Sequence, residues 1–441
     1  MRVAFYTLGC KLNQAETESL VGQFDQSGFQ IVHPNDAADI CIANTCTVTH
    51  VADRKSRHWL RLARRRNPQA LIIATGCYAQ RSRQELVPLA DLVVDNTDKE
   101  RLLKILTDLS LPAPSSVLET TPTCHSERSE AIYPIADSMR TRSLIKIQDG
   151  CHGPCTYCIV PRVRPREYSL PAPHIIEEVK GKVAQGYKEV VLTGTKVGTY
   201  KDAVLSNSEG LSADLKDLIQ RILHDTDIER LHLSSLQPSE ISSELLALWQ
   251  DERLCRHFHL ALQSGCETVL QWMKRIYSLE QYHRTMNLIR EKIPGAAVTT
   301  DIMVGFPGET DDEFEQSYSF CQQAGFANIH VFPFSPRPDT TAARMRDQMK
   351  DEVKQERSRR MLELSQSSRR RFCEQFLDQI VPVLWEQETS PGSGIYSGLT
   401  SNYIRVFADS KKPLSNEITS AKLVEFHNQG IRGEIVNENP G

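Results

Sequence analysis

Three blocks of different periodicity predict an α/β protein in three folded parts. Residues 1–109 alternate strand and helix, which predicts an N-terminal parallel α/β domain. Residues 141–372 repeat strand then helix six times, which predicts a partial (β/α)6 barrel with its chemistry at the carboxyl ends of the strands. Residues 373–441 carry short alternating strands separated by turns, which predict a small β-barrel. Between the first two blocks, residues 110–140 are rich in Pro, Ser and Thr without periodicity and read as a flexible linker.

The composition sets bounds. A chain of 441 residues is too long for one ordinary core, and 40% apolar with 24% charged residues is the balance of a globular protein. The formal charge of −4 offers no global basic field, so any RNA contact must come from local patches. No apolar run approaches a membrane span, so no membrane partner is expected. The N-terminus Met1-Arg2-Val3-Ala4-Phe5-Tyr6 reads as a buried strand and not as a signal peptide. Twelve cysteines are too sparse for a disulfide framework and point to a reducing cytoplasm, where thiolates bind metal or sit in cores.

In the first block, strands are expected at 2–8, 39–44, 71–75 and 92–94. A helix over 14–26 puts Leu20, Val21 and Phe24 on one face and stops at Ser27-Gly28. A second helix over 48–66 ends at Asn67-Pro68. Each of the first three strands runs into a cysteine: Cys10, Cys46 and Cys77. Ligands in such sheets sit beyond the carboxyl strand ends, so three thiols at one rim suggest a metal site, against the alternative of chance core cysteines such as Cys41. The 48–66 helix carries Arg54, Arg57, Arg61, Arg64 and Arg65 at steps of three and four. That face is either solvated or a contact for phosphate. Cys124 and His125, in the linker, read as incidental.

In the second block, strands are expected at 144–148, 189–193, 230–234, 258–262, 298–304 and 328–332, with helices at 173–185, 215–224, 239–249, 267–274, 279–292 and 311–324. The loop after the first strand reads Gly150-Cys151-His152-Gly153-Pro154-Cys155-Thr156-Tyr157-Cys158. Its C-x3-C-x2-C spacing lets one tight loop wrap three corners of a 4Fe–4S cube. Three ligands leave one iron open, able to chelate the amino and carboxylate groups of S-adenosylmethionine, with Tyr157 offering an aromatic edge to the adenine. The alternative is a zinc site with a distant fourth ligand, but zinc sites favour paired C-x2-C or C-x4-C spacings and no second pair follows. Later strand ends bring Gly194 and Thr195, Ser235, Gln263 and Ser264, and Asp301 and Gly305 to the same rim as candidate cofactor contacts.

A charged helix over 350–372 precedes the third block, whose strands are expected at 379–385, 395–397, 403–407 and 421–426. Such a barrel suits looped RNA, with Tyr403 and Phe407 for stacking; the plain alternative is a structural cap.

At the three-cysteine loop the chain resembles the radical S-adenosylmethionine enzymes. Thr7-Leu8-Gly9-Cys10-Lys11-Leu12-Asn13-Gln14, Asn44-Thr45-Cys46-Thr47-Val48-Thr49 and Gly76-Cys77-Tyr78-Ala79-Gln80 resemble the N-terminal signatures of the methylthiotransferase family, and the likeness spans everything but the linker. The resemblance implies two 4Fe–4S clusters, an auxiliary one on Cys10, Cys46 and Cys77 and a radical one on Cys151, Cys155 and Cys158. It makes the central part a radical-SAM barrel and the C-terminal part TRAM-like. It implies sulfur insertion at an unactivated C–H with methyl from a second S-adenosylmethionine, an electron donor such as flavodoxin or ferredoxin, and a sulfur source. The run Arg164-Pro165-Arg166 and Lys196 depart from the usual family wording.

The family divides among tRNA isopentenyladenosine, tRNA threonylcarbamoyladenosine and a ribosomal-protein aspartate. Lys146–Cys151, Leu233–Pro238 and His257–Gly265 resemble the threonylcarbamoyl branch. A threonylcarbamoyl carboxylate wants a cation, for which Arg162, Arg164 and Lys196 are candidates. The expected reaction is 2-methylthiolation of N6-threonylcarbamoyladenosine at position 37 in the tRNA anticodon stem-loop. A non-enzymatic iron–sulfur RNA-binding or redox-sensing protein is the alternative from another class.

Overall fold

The computed structural model describes residues 1–108, 141–206 and 212–436; the linker expected at 110–140 lies outside them. The chain divides into two compact units. One comprises 1–108 together with 158–166, and the other the remaining described residues.

The first unit is a five-stranded parallel sheet of β1 (Arg2–Thr7), β2 (Gln30–Val32), β3 (Ile40–Thr45), β4 (Leu71–Gly76) and β5 (Leu92–Val93), in the order β2-β1-β3-β4-β5. β3 is buried along its whole length, as a central parallel strand covered on both faces must be. On one face α1 (Lys11–Gln26) packs Leu20 and Phe24 against Val3, Phe5, Ile40 and Ile42. On the other, α2 (His50–Arg66) packs Trp59 and Leu60 against Tyr6, Cys41 and Ala43. Cys41 is the core residue expected. α2 starts at Thr49, whose hydroxyl accepts from Ala52 N (3.1 Å). The short α3 (Cys77–Arg81) and α4 (Arg83–Leu86) follow β4, and α5 (Leu102–Asp108) closes the first stretch. β2 was not foreseen; its three residues, one exposed and two half-exposed, carry no alternation long enough to read. The segment 158–166 contributes α6 (Val160–Val163), which seats Ile159 and Val163 on Cys77.

The second unit holds the six expected parallel strands: β6 (Arg142–Asp149), β8 (Glu189–Gly194), β11 (Arg230–Leu233), β13 (His257–Leu260), β14 (Ala297–Val304) and β15 (Asn328–Pro333), where β7 (Tyr168–Ser169) is a short antiparallel edge, β9 (Lys201–Ser206) and β10 (Ser212–Asp214) form a hairpin, and β12 (Ser235–Leu236) continues β11 to pair with β13. The crossing helices are α7 (Ala172–Ala184), α8 (Leu215–Asp225), α9 (Ser243–Leu246), α10 (Glu267–Trp272), α11 (Leu279–Lys292) and α12 (Asp311–Ala324). The helix expected at 239–249 is instead α9 between two 3-10 turns. Ser242 accepts from Leu245 N and starts a fresh turn, which divides the run. The core joins Ile145, Leu192, Leu231, Phe258 and Ile302 from the strands to Ile175, Leu218, Tyr282 and Phe314 from the helices.

The long helix α13 (Asp351–Glu374) serves two cores: Met361 and Leu364 complete that of the parallel sheet, and Cys373 enters that of the C-terminal barrel. The barrel is closed by five strands, β16 (Ile380–Glu388), β17 (Ile395–Thr400), β18 (Arg405–Asp409), β19 (Ile418–His427) and β20 (Gly430–Ile435). The sequence reading had four. β20 holds two glycines and two charges in six residues, so its single buried isoleucine, Ile431, leaves little pattern to read. No described helix is long and apolar enough to cross a membrane.

The barrel docks on the amino ends of the parallel strands. Arg230, first residue of β11, donates to Leu399 O (2.7 Å) and Pro382 O (2.9 Å). Arg142, at the start of β6, pairs with Glu386. The hydroxyl of Tyr403 donates to Glu189 and shares a hydrogen bond with His232 Nδ1 (2.9 Å). Its ring stacks on His232 and His257, with centroids 4.3 and 4.7 Å away. Tyr403 is therefore not available to stack on RNA as expected; its aromatic face is spent on fastening the barrel.

Candidate active site

In the first unit, Cys10, Cys46 and Cys77 stand at the carboxyl ends of β1, β3 and β4. Each lies within electrostatic reach of the others. The backbone is shaped to allow this. Gly9 has φ +109°, and a Cβ there would meet Cys46 Cβ at 2.9 Å; Gly76 has φ +96°, and its Cβ would meet Thr45 O at 2.4 Å. Asn13 ties the strand ends together, donating to Leu8 O (2.8 Å) and Thr45 O (3.3 Å). Asn96 donates to Val163 O (2.8 Å), with Cys77 Sγ 3.7 Å from the same nitrogen. Burial pushes the Cys46 thiol up to about 12, with the Cys77 charge adding to the rise. In the metal-free protein at neutral pH it is protonated, and metal binding displaces that proton. Alkylation of Cys46 in the metal-free protein is therefore expected to lag far behind that of a free cysteine at pH 8 and to rise with pH. Mass-spectrometric labelling rates check this, and labelling at the free-cysteine rate counts against it.

Beside these thiols is a charged network that sequence reasoning missed. Glu16 accepts from Lys99 Nζ (2.6 Å) and, with both oxygens, from Arg164 (2.7 and 2.9 Å). Arg164 also donates to Asn13 Oδ1 (2.9 Å). All three charged side chains are at most 6% exposed. Arg164 had been a candidate for the substrate carboxylate; its guanidinium is committed to Glu16 instead, and the cation it offers is already used.

In the second unit, all six parallel strands end at one rim, and the cysteine loop leaves β6 there. Gln148 pins the loop: its amide donates to Gly150 O (2.8 Å) and its carbonyl accepts from Lys196 N (2.8 Å) after β8. Gly194 permits that approach, since a Cβ would lie 2.7 Å from Gln148 O. Thr195 Oγ1 reaches Asp149 Oδ1 at 3.5 Å. Cys151 Sγ accepts from Gly153 N (3.2 Å), and a Cβ at Gly153 would stand 3.1 Å from Cys151 Sγ and 4.0 Å from Cys155 Sγ. Farther along, Thr156 N donates to Met273 O (3.1 Å) and Thr156 Oγ1 to Trp272 O (2.9 Å).

Arg275, also missed, is the main charged group at this rim. Its Nη1 donates to Cys155 Sγ (3.3 Å) and to Tyr157 Oη (3.3 Å). Burial opposes its charge, but Tyr157, Tyr277 and Cys155 hold its proton more tightly than usual. Tyr157 thus has its ring against the Phe306 cluster and its hydroxyl on Arg275. Glu240 is held up by burial, with Lys196 Nζ 3.6 Å away. Ser234 Oγ is buried at this rim without a hydrogen-bond partner among the described residues.

The remaining candidates divide. Gln263 takes a left-handed conformation, φ +74°, and exchanges backbone hydrogen bonds with Asp301 and Met303. Asp301 faces His259 at 3.3 Å, and Ser235 is exposed. Ser264 is fully buried and accepts from Cys266 N (3.2 Å), a turn former ahead of α10. Gly305 has φ +70° and donates to Glu309 (2.7 Å), with Lys354 of α13 packed where a side chain would go. Glycine and serine serve turns and ligands alike, so the sequence reads the same for either use.

Residues 2–95 match the model of UPF0004, an uncharacterized protein family, and residues 145–321 match that of the radical SAM superfamily. A threonylcarbamoyladenosine tRNA methylthiotransferase, MtaB, of Bacillus subtilis is 34% identical, covering 99% of this chain and 97% of its own. Its namesake from Aquifex aeolicus is 36% identical over 92% of this chain and 96% of its own. This chain belongs to the radical S-adenosylmethionine methylthiotransferase family. The tRNA-2-methylthio-N(6)-dimethylallyladenosine synthase of Syntrophotalea carbinolica is also similar, 32% identical over 98% of this chain and 100% of its own. The solved radical S-adenosylmethionine methyltransferase TsrM of Kitasatospora setae shares the fold, with a TM-score of 0.55 at 15% identity over 78% of this chain and 75% of that one.

Methylthiotransferases of this family use S-adenosylmethionine and two [4Fe–4S] clusters. The residues fit. Each trio supplies three thiols. At the loop, a Cβ on Gly153 would stand 3.1 Å from Cys151 Sγ and 4.0 Å from Cys155 Sγ, so the glycine leaves room beside two of the thiols. A zinc ion would gather its thiolates about one point, whereas a cluster offers each thiolate its own iron corner.

Proposed function

We propose that this methylthiotransferase acts on tRNA and methylthiolates C2 of N6-threonylcarbamoyladenosine at position 37. The likeness to the MtaB enzymes over nearly the whole chain carries this reading. Once Arg164 is taken by Glu16, two candidates remain for the threonylcarbamoyl carboxylate: the exposed Arg162, and Lys196, which is partly exposed and stands 3.6 Å from Glu240.

Cys151, Cys155 and Cys158 would hold one cluster and Cys10, Cys46 and Cys77 the other. When bound, the first cluster and S-adenosylmethionine supply the radical that abstracts hydrogen from the adenine carbon. The chain's own residues prepare that chemistry. Gln148 sets the entry of the cysteine loop, and Thr156 anchors its middle on α10. Arg275 holds Cys155 Sγ in place by a hydrogen bond from Nη1. Gly194, Thr195, Ser235, Gln263 and Asp301 line the rim for the cofactor. An electron donor of the flavodoxin or ferredoxin kind, a sulfur source and a cytoplasmic setting complete the proposal.

Expression in cells lacking all methylthiotransferases, followed by digestion of their tRNA, tests the substrate. The expected product is 2-methylthio-N6-threonylcarbamoyladenosine. The isopentenyl product alone, or modification of a ribosomal protein instead, overturns the assignment.

A further inference from the structure

We infer that the exposed face of α2 is a contact surface for the RNA phosphates that flank the reacting nucleotide. The inference rests on the reading of the substrate as tRNA. α2 carries seven Arg and Lys against one Asp, in a chain whose total charge is −4. The one acid does not neutralise the face: Asp53 is 3% exposed and is bound to Thr47 Oγ1 (2.6 Å) and Arg81 (3.3 Å).

The six arginines fall into two sets. Arg57 is tied to Tyr78 and Glu85, Arg64 to Asp91 (2.5 Å) and Ala70 O (2.8 Å), and Arg66 to Asn35. Arg54, Arg61 and Arg65 are exposed, and no described carboxylate pairs with them. With the exposed His58 they step by four, three and four, which makes one stripe opposite the buried Ser56, Trp59, Leu60 and Ala63. At about 1.5 Å per residue the stripe is roughly 16 Å long. Three fixed cations in a row suit a chain of regularly spaced anions.

The stripe begins beside Cys46, one of the three thiols that would hold the second cluster. α2 leaves the Cys46 turn, and Val48 N is 3.5 Å from Cys46 Sγ. Val48 and Val51, at its start, are 51% and 49% exposed. The face thus runs from an apolar tip beside the sulfur ligand to a line of arginines. A nucleic acid presents both surfaces, base and phosphate.

The test is an Arg54→Ala, Arg61→Ala, Arg65→Ala triple variant of the full-length holoprotein, with an all-lysine triple beside it. Binding of unmodified tRNA transcript is measured across a salt series. The alanine variant is expected to bind roughly tenfold more weakly near physiological salt, with the salt slope lowered by about 2–3, while the lysine variant keeps most of both. Iron content and thermal unfolding report that the fold is intact. Unchanged affinity and slope would overturn the surface. So would an alanine variant that keeps its tRNA affinity but is no longer reduced by an acidic flavoprotein. Repeating the series with a tRNA of the isopentenyl class separates this result from the choice of substrate, because phosphate contact is blind to the modification. If the wild-type protein binds no tRNA at all, the substrate reading itself fails.

Discussion

Cys155→Ala abolishes formation of 5′-deoxyadenosine and removes about half of the iron from the reconstituted protein. The loop offers three thiols, and loss of one leaves too few to hold a cluster with a single open corner. The variant also strands Arg275, whose Nη1 donates to Cys155 Sγ and whose guanidinium is buried against Tyr157 and Tyr277. Arg275→Met separates the two effects. It keeps the thiols and the apolar volume, so iron is retained, but the thiolate loses its charged donor, and cofactor cleavage is expected to slow by roughly tenfold or more, the cost of one charge-assisted hydrogen bond. Cys46→Ala, in the other unit, is expected to leave cleavage in place while ending product formation. Anaerobic reconstitution, iron assay and chromatography of the nucleosides check all three. Full cleavage activity in Cys155→Ala would sink the assignment of the loop.

Glu16→Ala destabilises the N-terminal unit by about 3–5 kcal/mol, the usual cost of leaving buried charge uncompensated. One carboxylate here serves two cations, Lys99 and Arg164, and neither can reach solvent from where it stands. Removing it sets the two like charges against each other. Arg164→Ala leaves Glu16 and Lys99 as a matched pair and is expected to cost less. The order of the two variants is the informative result, since a merely structural loss of side-chain volume would make the larger arginine deletion the worse. Hydrogen exchange at the β1 and β3 amides of the full-length protein reads the local stability. Equal protection in Glu16→Ala and wild type would mean that the network carries no such load.

Much of this was legible in the sequence because it depends on repeat and spacing. Six strand–helix periods announce six parallel strands. Three cysteines after three strands of one parallel sheet must share a rim, whatever the intervening chain does. C-x3-C-x2-C can be read without a structure because eight residues cannot spread far. Arg275 was hidden because its partners, Cys155 and Tyr157, lie about 120 residues earlier, and nothing local marks an arginine that will be buried. Glu16, Lys99 and Arg164 were hidden for the same reason: each alone looks like a surface charge. Tyr403 failed in the opposite sense. Its place on a barrel strand suggested an exposed platform, and only the docking of the barrel on His232 and His257 shows otherwise. β20 went unread because its register with β18 and β19, and not its own hydrophobicity, makes it a strand.

The docking of the barrel also sets a length. β6 runs eight residues, from Arg142 beside Glu386 of the barrel to Asp149 at the mouth of the cysteine loop. At about 3.3 Å per residue the strand measures roughly 26 Å end to end. One RNA that touches both the barrel and the cysteine loop must bridge that gap. If both ends gripped one RNA they would act as a caliper, accepting a folded stem with a loop at the right reach and passing over a loose strand carrying the same nucleotide. Selection by reach needs no reading of bases, and it would make shortening the stem as damaging as changing the loop.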